Sequence, residues 1–322
     1  MLGNIIKSIK KDTSTVEEST IPIRDVRLVD WGIENLKSED TIRPMKSGTY
    51  IRASGLGGVC AREEVLAARH DIIRTKPWSS DIKWAMAIGT GLHYVFQNEI
   101  LGPRKLLTGQ WKCSNCNRIH GSFSEPTVMP DGCDGCGFKS GTLICVKCHN
   151  ECKRNRDPEI DKSYTNKVCE QCGEAWEVVP VMFEYVELYL VDHELGIHGH
   201  TDGFHPIPTD MWEFKTANGW SMKGFRNGDI YDKYKVQAQF YLATANRRRM
   251  RFVFLDKSTN SIKDSWLEVF VNRDQQQFDE IRSNIIALRE GLDGGPLPKR
   301  ICGTRSCPRA KECQLEDICF SV

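Results

Sequence analysis

The chain has no apolar stretch approaching the ~20 residues of a membrane-spanning helix, and its first residues lack the apolar core and small-residue cleavage site of a secretory signal. Those two absences set the expectation of a cytosolic protein with no membrane partner. Nor is there an excess of either charge. With 44 Lys and Arg against 43 Asp and Glu, the net charge is +1, so a polyanion would have to be met by a local surface rather than a global field. A hydrophobic content of 40%, a charged content of 27% and 322 residues suit one large globular domain or two smaller ones. Oligomeric state leaves no trace in the sequence. What is abundant is cysteine: 14 residues, at positions 60, 113, 116, 133, 136, 145, 148, 152, 169, 172, 302, 307, 313 and 319. In a reducing compartment such a set does not read as disulfides, and a two-residue gap lets two thiolates converge on one ion. The expectation is a metalloprotein.

Composition divides the chain. Residues 1–45 are polar and weakly periodic, an expected flexible arm. Residues 46–108 are helical in pattern: Ala61 to His70, then a run in which Trp84, Ile88, Leu92 and Phe96 recur every fourth residue and which also carries His93. Residues 109–178 hold nine cysteines among Gly, Asn and Asp, an insert too poor in aliphatics to keep a core without metal. Within 179–295, strand-like runs at 181–192, 196–204 and 211–217 suggest a meander. A helix from Asp229 to about Arg247, strands over 251–256 and 265–271, and a helix from Arg273 to Glu290 follow. The order is an α/β layout around one sheet. Residues 296–322 form a cysteine-rich tail.

Asp202 closes a Gly199-x2-Asp202 motif, and eleven residues later stands Glu213-Phe214-Lys215. Residues two apart on a strand face the same way, so Glu213 and Lys215 project together and a neighbouring strand can bring Asp202 beside them. Two carboxylates suit Mg²⁺ or Mn²⁺, which polarises a phosphoryl oxygen and acidifies a bound water, while a lysine orients that water. Taken alone, the same spacing also fits a turn aspartate and the solvated face of an edge strand. Glu184 and Glu187 on the first strand are candidate outer acids near such a metal. His198, His200 and His205 flank Asp202; alternation puts His200 on its face, as a phosphate contact or as a solvated strand histidine.

On the next helix, Tyr234, Gln237 and Tyr241 stand at i, i+3 and i+7 on one face. With His93 on the upstream helix, Gly199 and Asp202, Glu213 and Lys215, and Gln237 and Tyr241 in this order, the chain resembles the RecB-like branch of the PD-(D/E)XK nuclease superfamily. The likeness is to the iron-sulfur exonucleases of CRISPR adaptation and their phage-encoded relatives. It covers residues 55–100 and 180–320. It implies a restriction-endonuclease-like α/β core, with a central mixed sheet flanked by helices. The implied activity is that of a metal-dependent deoxyribonuclease, an exonuclease acting on DNA ends or single strands in recombination, repair or phage DNA metabolism. The resemblance further implies that His93, Asp202 and Glu213 bind the Mg²⁺ or Mn²⁺, with the Phe214 carbonyl completing the shell. Lys215 would position water, and Gln237 and Tyr241 would contact metal, phosphate or the DNA backbone. The rival reading is a non-catalytic nucleic-acid-binding or assembly factor on a nuclease-like scaffold, against which the joint presence of Asp202, Glu213 and Lys215 argues.

Cys60 precedes the first helix, and Cys302, Cys307, Cys313 and Cys319 follow the core. One upstream and three downstream thiolates would tie the two parts together as a clasp. The resemblance implies a 4Fe-4S cluster there, its last two cysteines five residues apart and followed by an aromatic, as Cys313, Cys319 and Phe320 are. Cys60, Cys302, Cys313 and Cys319 are the favoured ligands and Cys307 the alternative, because Cys307 and Cys313 show the same gap. Four-thiolate zinc suits the same spacing.

In the insert, Cys113, Cys116, Cys133 and Cys136 have zinc-ribbon spacing, and Cys145, Cys148, Cys169 and Cys172 repeat it, for two Zn²⁺ in all, with cross-pairing open. Cys152, His120 and His149 are left over. The insert would grip DNA or dock a protein partner, or only brace the core. Its Lys153, Arg154 and Arg156 are offset by acids, and Trp111, Phe123, Phe138 and Tyr164 suit either base stacking or a mini-core. Local positive charge for a DNA backbone is offered by Arg247, Arg248, Arg249 and Arg251 and by Lys299, Arg300, Arg305 and Arg309.

Overall fold

Runs rich in Val, Tyr, Phe and Trp become strands and the periodic segments helices in a computed structural model that describes residues 38–137, 143–145, 172–173, 176–178, 183–258 and 265–322. The first part of the chain holds β1 (Ser38–Ile42), β2 (Ile51–Arg52), α1 (Ala61–Arg69), β3 (Arg74–Trp78) and α2 (Ser80–Tyr94), which continues as a π-helical stretch over Val95–Leu101. The cysteine-rich segment supplies β4 (Thr108–Cys113), β5 (Ile119–His120), β6 (Thr127–Val128), β7 (Leu143–Cys145) and β8 (Trp176–Val178). Then come β9 (Phe183–Val186), β10 (Leu188–Asp192), β11 (Ile197–Thr201), β12 (Gly203–Phe204), β13 (Asp210–Ala217), α3 (Gly219–Arg226), α4 (Asp232–Thr244), β14 (Arg249–Asp256), β15 (Trp266–Asn272), α5 (Gln275–Leu292), α6 (Pro308–Glu312) and α7 (Glu316–Ser321).

The described residues fall into two compact units. In the smaller, residues 38–41 and 75–87, β1 pairs with β3 and Trp78 Nε1 donates to Asp40 Oδ2 at 2.6 Å. The end of the expected arm is thus a strand. The larger unit is built on a mixed sheet in the order β15-β14-β13-β12-β4-β5, with β6 and β9 also paired to β4. Only β13 and β14 run parallel within it, Glu213 opposite Phe252 and Lys215 opposite Phe254. Both faces of β13 are covered. Met211 packs with Phe240, Phe252 and Phe254 against the helices, while Trp212 and Phe214 pack with Phe96 and Trp111 on the other side. A strand buried on both faces reads as a near-continuous apolar run, which is why any polar group on it must find a partner.

The expected meander is broken at Asp202. β10 and β11 pair antiparallel and join β2 in a three-stranded sheet, whereas β12 pairs with β13 in the large one. The change of sheet is possible because position 203 is glycine: a Cβ there would sit 2.1 Å from Leu107 Cδ1. The cysteine-rich segment begins inside this architecture, since β4 pairs with β9 and β12 and buries Trp111 completely. The four-residue stripe on α2 holds only in part. Phe96 is buried and Leu92 packs nearby, but Trp84 is 61% exposed, and the widening to a π-helix at Val95 turns Phe96 and Gln97 inward.

Candidate active site

Alternation along β13 aims Glu213 and Lys215 at α4. Glu213 is 2% exposed; its Oε1 accepts from Lys215 Nζ and, at 3.0 Å, from Gln237 Nε2, while its Oε2 is buried with no hydrogen-bond partner among the described residues. Gln237 Nε2 lies 3.5 Å from Tyr241 Oη, which donates to the His200 carbonyl at 2.9 Å. A Cβ at position 199 would meet Tyr241 Oη at 2.6 Å, so Gly199 is what lets the tyrosine seat against β11. The glycine of one motif and the tyrosine of another are one packing constraint.

The corner between the two sheets puts Asp202 against this strand. Its Oδ2 accepts from the Phe214 N–H at 2.6 Å, its Oδ1 lies 3.4 Å from His93 Nδ1, and its carbonyl accepts from Gln97 Nε2 at 2.9 Å. His93, Glu187 and Asp202 each offer a ligand atom, all within 4.8 Å of one another. Glu187 enters this group from the break between β9 and β10, where strand alternation gives no direction; it was expected only as an outer acid. Gln97, not singled out in the sequence, bonds both Asp202 and Glu187.

The electrostatics follow from too many carboxylates in one dry place. Burial and the Asp202 charge push Glu213 up to about 7 against the pull of Lys215. Burial and Asp202 also raise Glu187. Burial would raise Asp202 too, but His93, Lys215 and the Phe214 N–H outweigh it and hold its carboxyl below the usual range. His93 and Lys215 are raised, because neighbouring carboxylates overcome the burial that would lower them. Two resident cations do not balance three acids, and one Glu213 oxygen has no donor. A divalent ion with oxygen and imidazole ligands fits that donor set.

Among the cysteines, Cys113, Cys116, Cys133 and Cys136 bring their sulfurs within 4.8 Å of one another, a cluster that could hold a metal ion. Although the Arg118 N–H lowers it, burial and the three neighbouring sulfurs push the Cys116 thiol up to about 12. Four sulfurs this close cannot all ionise without a cation. His120, set aside in the sequence, lies with Nε2 3.3 Å from Cys133 Sγ and Nδ1 3.4 Å from Asp134 Oδ1. Cys145 is in β7 and Cys172 in a turn, but Cys148 and Cys169, and with them the second ribbon site, lie outside the described residues. So do Cys152, His149, Phe138, Tyr164, Lys153, Arg154 and Arg156. Trp111 fills the core, its Nε1 bonded to the Thr127 carbonyl at 3.0 Å, whereas Phe123 is exposed.

Cys60, Cys302, Cys313 and Cys319 line one cavity, with Arg309 and Glu63 at its wall. Burial raises the thiols of Cys60, Cys302 and Cys313. Cys307 does not line this cavity; it caps α6, whose Ala310 and Arg309 N–H groups lower its thiol, and it lies beside Cys302. The tail is stitched to α1 and the segment before it: Arg62 donates to the Pro298 and Val322 carbonyls, and Arg309 to the Gly58 carbonyl at 2.7 Å.

The basic segment after α4 differs from expectation. Asp210, at the start of β13, accepts from Arg249 Nη2 at 2.6 Å and Arg251 Nε at 2.5 Å, and Arg251 also pairs with Glu268. Arg247 donates to the Pro208 carbonyl and covers the Phe204 ring at 4.5 Å. Three of the four arginines are therefore engaged internally, Arg249 and Arg251 because parallel pairing sets Asp210 opposite Arg249, and Arg247 through Pro208 and Phe204. In the tail, Arg300 and Arg305 lie over the Phe320 ring at 4.4 and 5.2 Å.

No protein-family model matches the chain, and no curated protein does. Among solved structures it is similar to the alkaline exonuclease LHK-Exo from Laribacter hongkongensis, at 24% identity and a TM-score of 0.31, over 34% of this chain and 57% of that one. It is similar to a phage-related exonuclease from Haemophilus somnus 129PT at 14% and 0.27, over 33% and 58%, and to SSO0001 at 14% and 0.36, over 85% and 87%. The matches span less than two thirds of the length of either exonuclease. Likeness of this degree decides nothing about activity, which is read from the site's own geometry. Among the described residues, no helix is long and apolar enough to cross a membrane.

Proposed function

We propose that the protein is a metal-dependent deoxyribonuclease acting at DNA ends or on single strands. The observation that carries this reading is the buried Glu213–Lys215 pair, one Glu213 oxygen without a partner, beside the His93, Glu187 and Asp202 group. In this reading His93, Glu187, Asp202 and Glu213 hold Mg²⁺ or Mn²⁺, with the Phe214 carbonyl as a further ligand. The bound ion supplies Lewis-acid polarisation of a phosphoryl oxygen and a more acidic water. Lys215 holds its ammonium at the attacked phosphate, where negative charge develops, and Gln237 fixes the Glu213 carboxylate through their 3.0 Å bond. Tyr241 acts through packing, anchoring α4 to β11. What separates this pair from a structural one such as Asp210 with Arg249 and Arg251 is the Glu213 oxygen left without a donor among the described residues, which favours the catalytic reading over a bare scaffold.

The same proposal assigns zinc to Cys113, Cys116, Cys133 and Cys136, and a second zinc to Cys145, Cys148, Cys169 and Cys172. It assigns a 4Fe-4S cluster to Cys60, Cys302, Cys313 and Cys319. The close approach of four sulfurs supports the first of these, and the shared cavity of the terminal cysteines supports the last. Incubating the purified protein with Mn²⁺, and separately with Mg²⁺, and end-labelled linear or circular single-stranded DNA tests the function. Loss of the linear strand alone, stopped by chelation, is the expected exonuclease result; no cleavage of any DNA with either ion overturns it.

A further inference from the structure

Trp220 is the most exposed large hydrophobic side chain among the described residues, at 81%. It stands five positions after Lys215, at the start of α3, the helix that follows β13 directly. The apolar duties of that helix are met by Met222 and Phe225, both buried, so the indole serves no packing need. Its neighbourhood is nonetheless built. Asn218 Oδ1 caps α3 by accepting from the Ser221 N–H at 2.9 Å, and Ser221 Oγ lies 3.0 Å from Tyr231 Oη. The Tyr231 ring is 5.6 Å from that of Tyr234, and Lys215 Nζ is 5.5 Å from the Tyr234 ring centre. A line of contacts thus runs from the buried ammonium through Tyr234 and Tyr231 to Ser221, the residue beside Trp220. Lys233 Nζ covers both tyrosine rings, at 5.5 and 5.2 Å. Between positions 218 and 235, four basic residues, Lys223, Arg226, Lys233 and Lys235, face two acids, Asp229 and Asp232.

An exposed indole in a segment with a basic excess, joined through Tyr231 and Tyr234 to a candidate phosphate site, offers what an unpaired base needs: an aromatic face with positive charge in the same segment for the backbone. A base within a duplex has both faces covered by its neighbours and cannot use it. We propose that Trp220, with Tyr231 and Lys233, is a stacking platform for an unpaired base next to the phosphate at the Glu213–Lys215 site, selecting single-stranded DNA over duplex. This rests on the nuclease reading for the position of the phosphate, but its test does not need cleavage.

Binding of a dye-labelled single-stranded oligonucleotide is measured by fluorescence anisotropy with Ca²⁺ in place of Mn²⁺, for wild type, Trp220→Ala and Trp220→Phe. The same strand is then used with a single abasic site moved along it, and finally as a duplex. Trp220→Ala should bind the single strand about tenfold more weakly, Trp220→Phe should keep most of the affinity, and duplex affinity should be equal in all three. One abasic position should weaken wild type and leave Trp220→Ala unaffected. Matching melting curves establish that the variants fold. Equal single-strand affinity in wild type and Trp220→Ala, or abasic effects alike in both, overturns the platform even if wild type cleaves DNA. Abasic sensitivity that depends on Trp220 in a protein that cuts nothing would sustain the platform and remove the nuclease reading.

Discussion

Asp210→Asn should cost the protein stability in a manner that depends on pH. The carboxylate is 1% exposed and binds two guanidiniums of the adjacent parallel strand, three positions before Glu213 and five before Lys215 on its own strand. Burial alone would raise its pKa, but the bonds from Arg249 and Arg251 outweigh that and bring it from 3.8 to about 2. At about 1.36 kcal/mol per pH unit, this depression corresponds to about 2.4 kcal/mol. Arg249 is 37% exposed at its side chain and Arg251 keeps Glu268, so screening reduces the expected value to about 1–2 kcal/mol. Because the folded pKa is depressed, the contribution is fully present above pH ~4 and is lost as the pH falls toward ~2, with about half remaining at pH ~3. Urea denaturation of wild type and variant at pH 7 and pH 3 measures it. The difference between the two proteins should be about 1–2 kcal/mol at pH 7 and about half that at pH 3. A difference that does not change with pH, or none at pH 7, would refute the electrostatic account of this network.

Cys60→Ser should lose bound iron, melt at lower temperature and lose activity, because the clasp ties α1 and the start of the path to His93 to the tail; Cys152→Ser should change none of these. Iron analysis with melting curves checks the pair, and iron retained in Cys60→Ser would require the terminal ligands to be reassigned. His120→Ala should weaken zinc binding by the first cysteine cluster by roughly 10–100-fold, the usual effect of removing a group that orients a metal ligand. Competition with a coloured chelator reads that constant, and an unchanged value would leave His120 a bystander. Glu187→Gln should weaken Mn²⁺ binding measured by calorimetry while leaving the iron and zinc contents alone; a wild-type isotherm would remove Glu187 from the metal group.

The strand bearing Glu213 and Lys215 was legible because two-residue alternation and its Met, Trp and Phe residues need no tertiary information. Where Asp202 points was not, since it depends on a change of sheet permitted by the contact between Gly203 and Leu107. His93 stood out only through its company, and Glu187, sitting in a strand break, has no periodicity to aim it. The arginines after α4 looked like a phosphate surface because Asp210, their partner, lies 39 residues from Arg249 and meets it only through parallel pairing. His120 was passed over because four cysteines already fill a tetrahedral site, and ligand spacing says nothing about which histidine supports a ligand. The four-residue stripe on α2 misjudged Trp84 for a related reason: period marks a face, and only packing decides which part of that face is covered.

The most direct test of the central claim is single-turnover cleavage of end-labelled linear single-stranded DNA in Mn²⁺ by wild type, Glu213→Gln and Lys215→Ala. Glu213→Gln should fold, since Glu213 is easily neutralised in its buried position and Gln keeps its shape, and melting curves establish the fold of Lys215→Ala, which leaves Gln237 as the donor to Glu213. Each should cut about 100-fold or more slowly than wild type, the size expected when one electrostatic stabiliser of the transition state is removed. A folded Glu213→Gln protein that cuts at the wild-type rate would contradict the account.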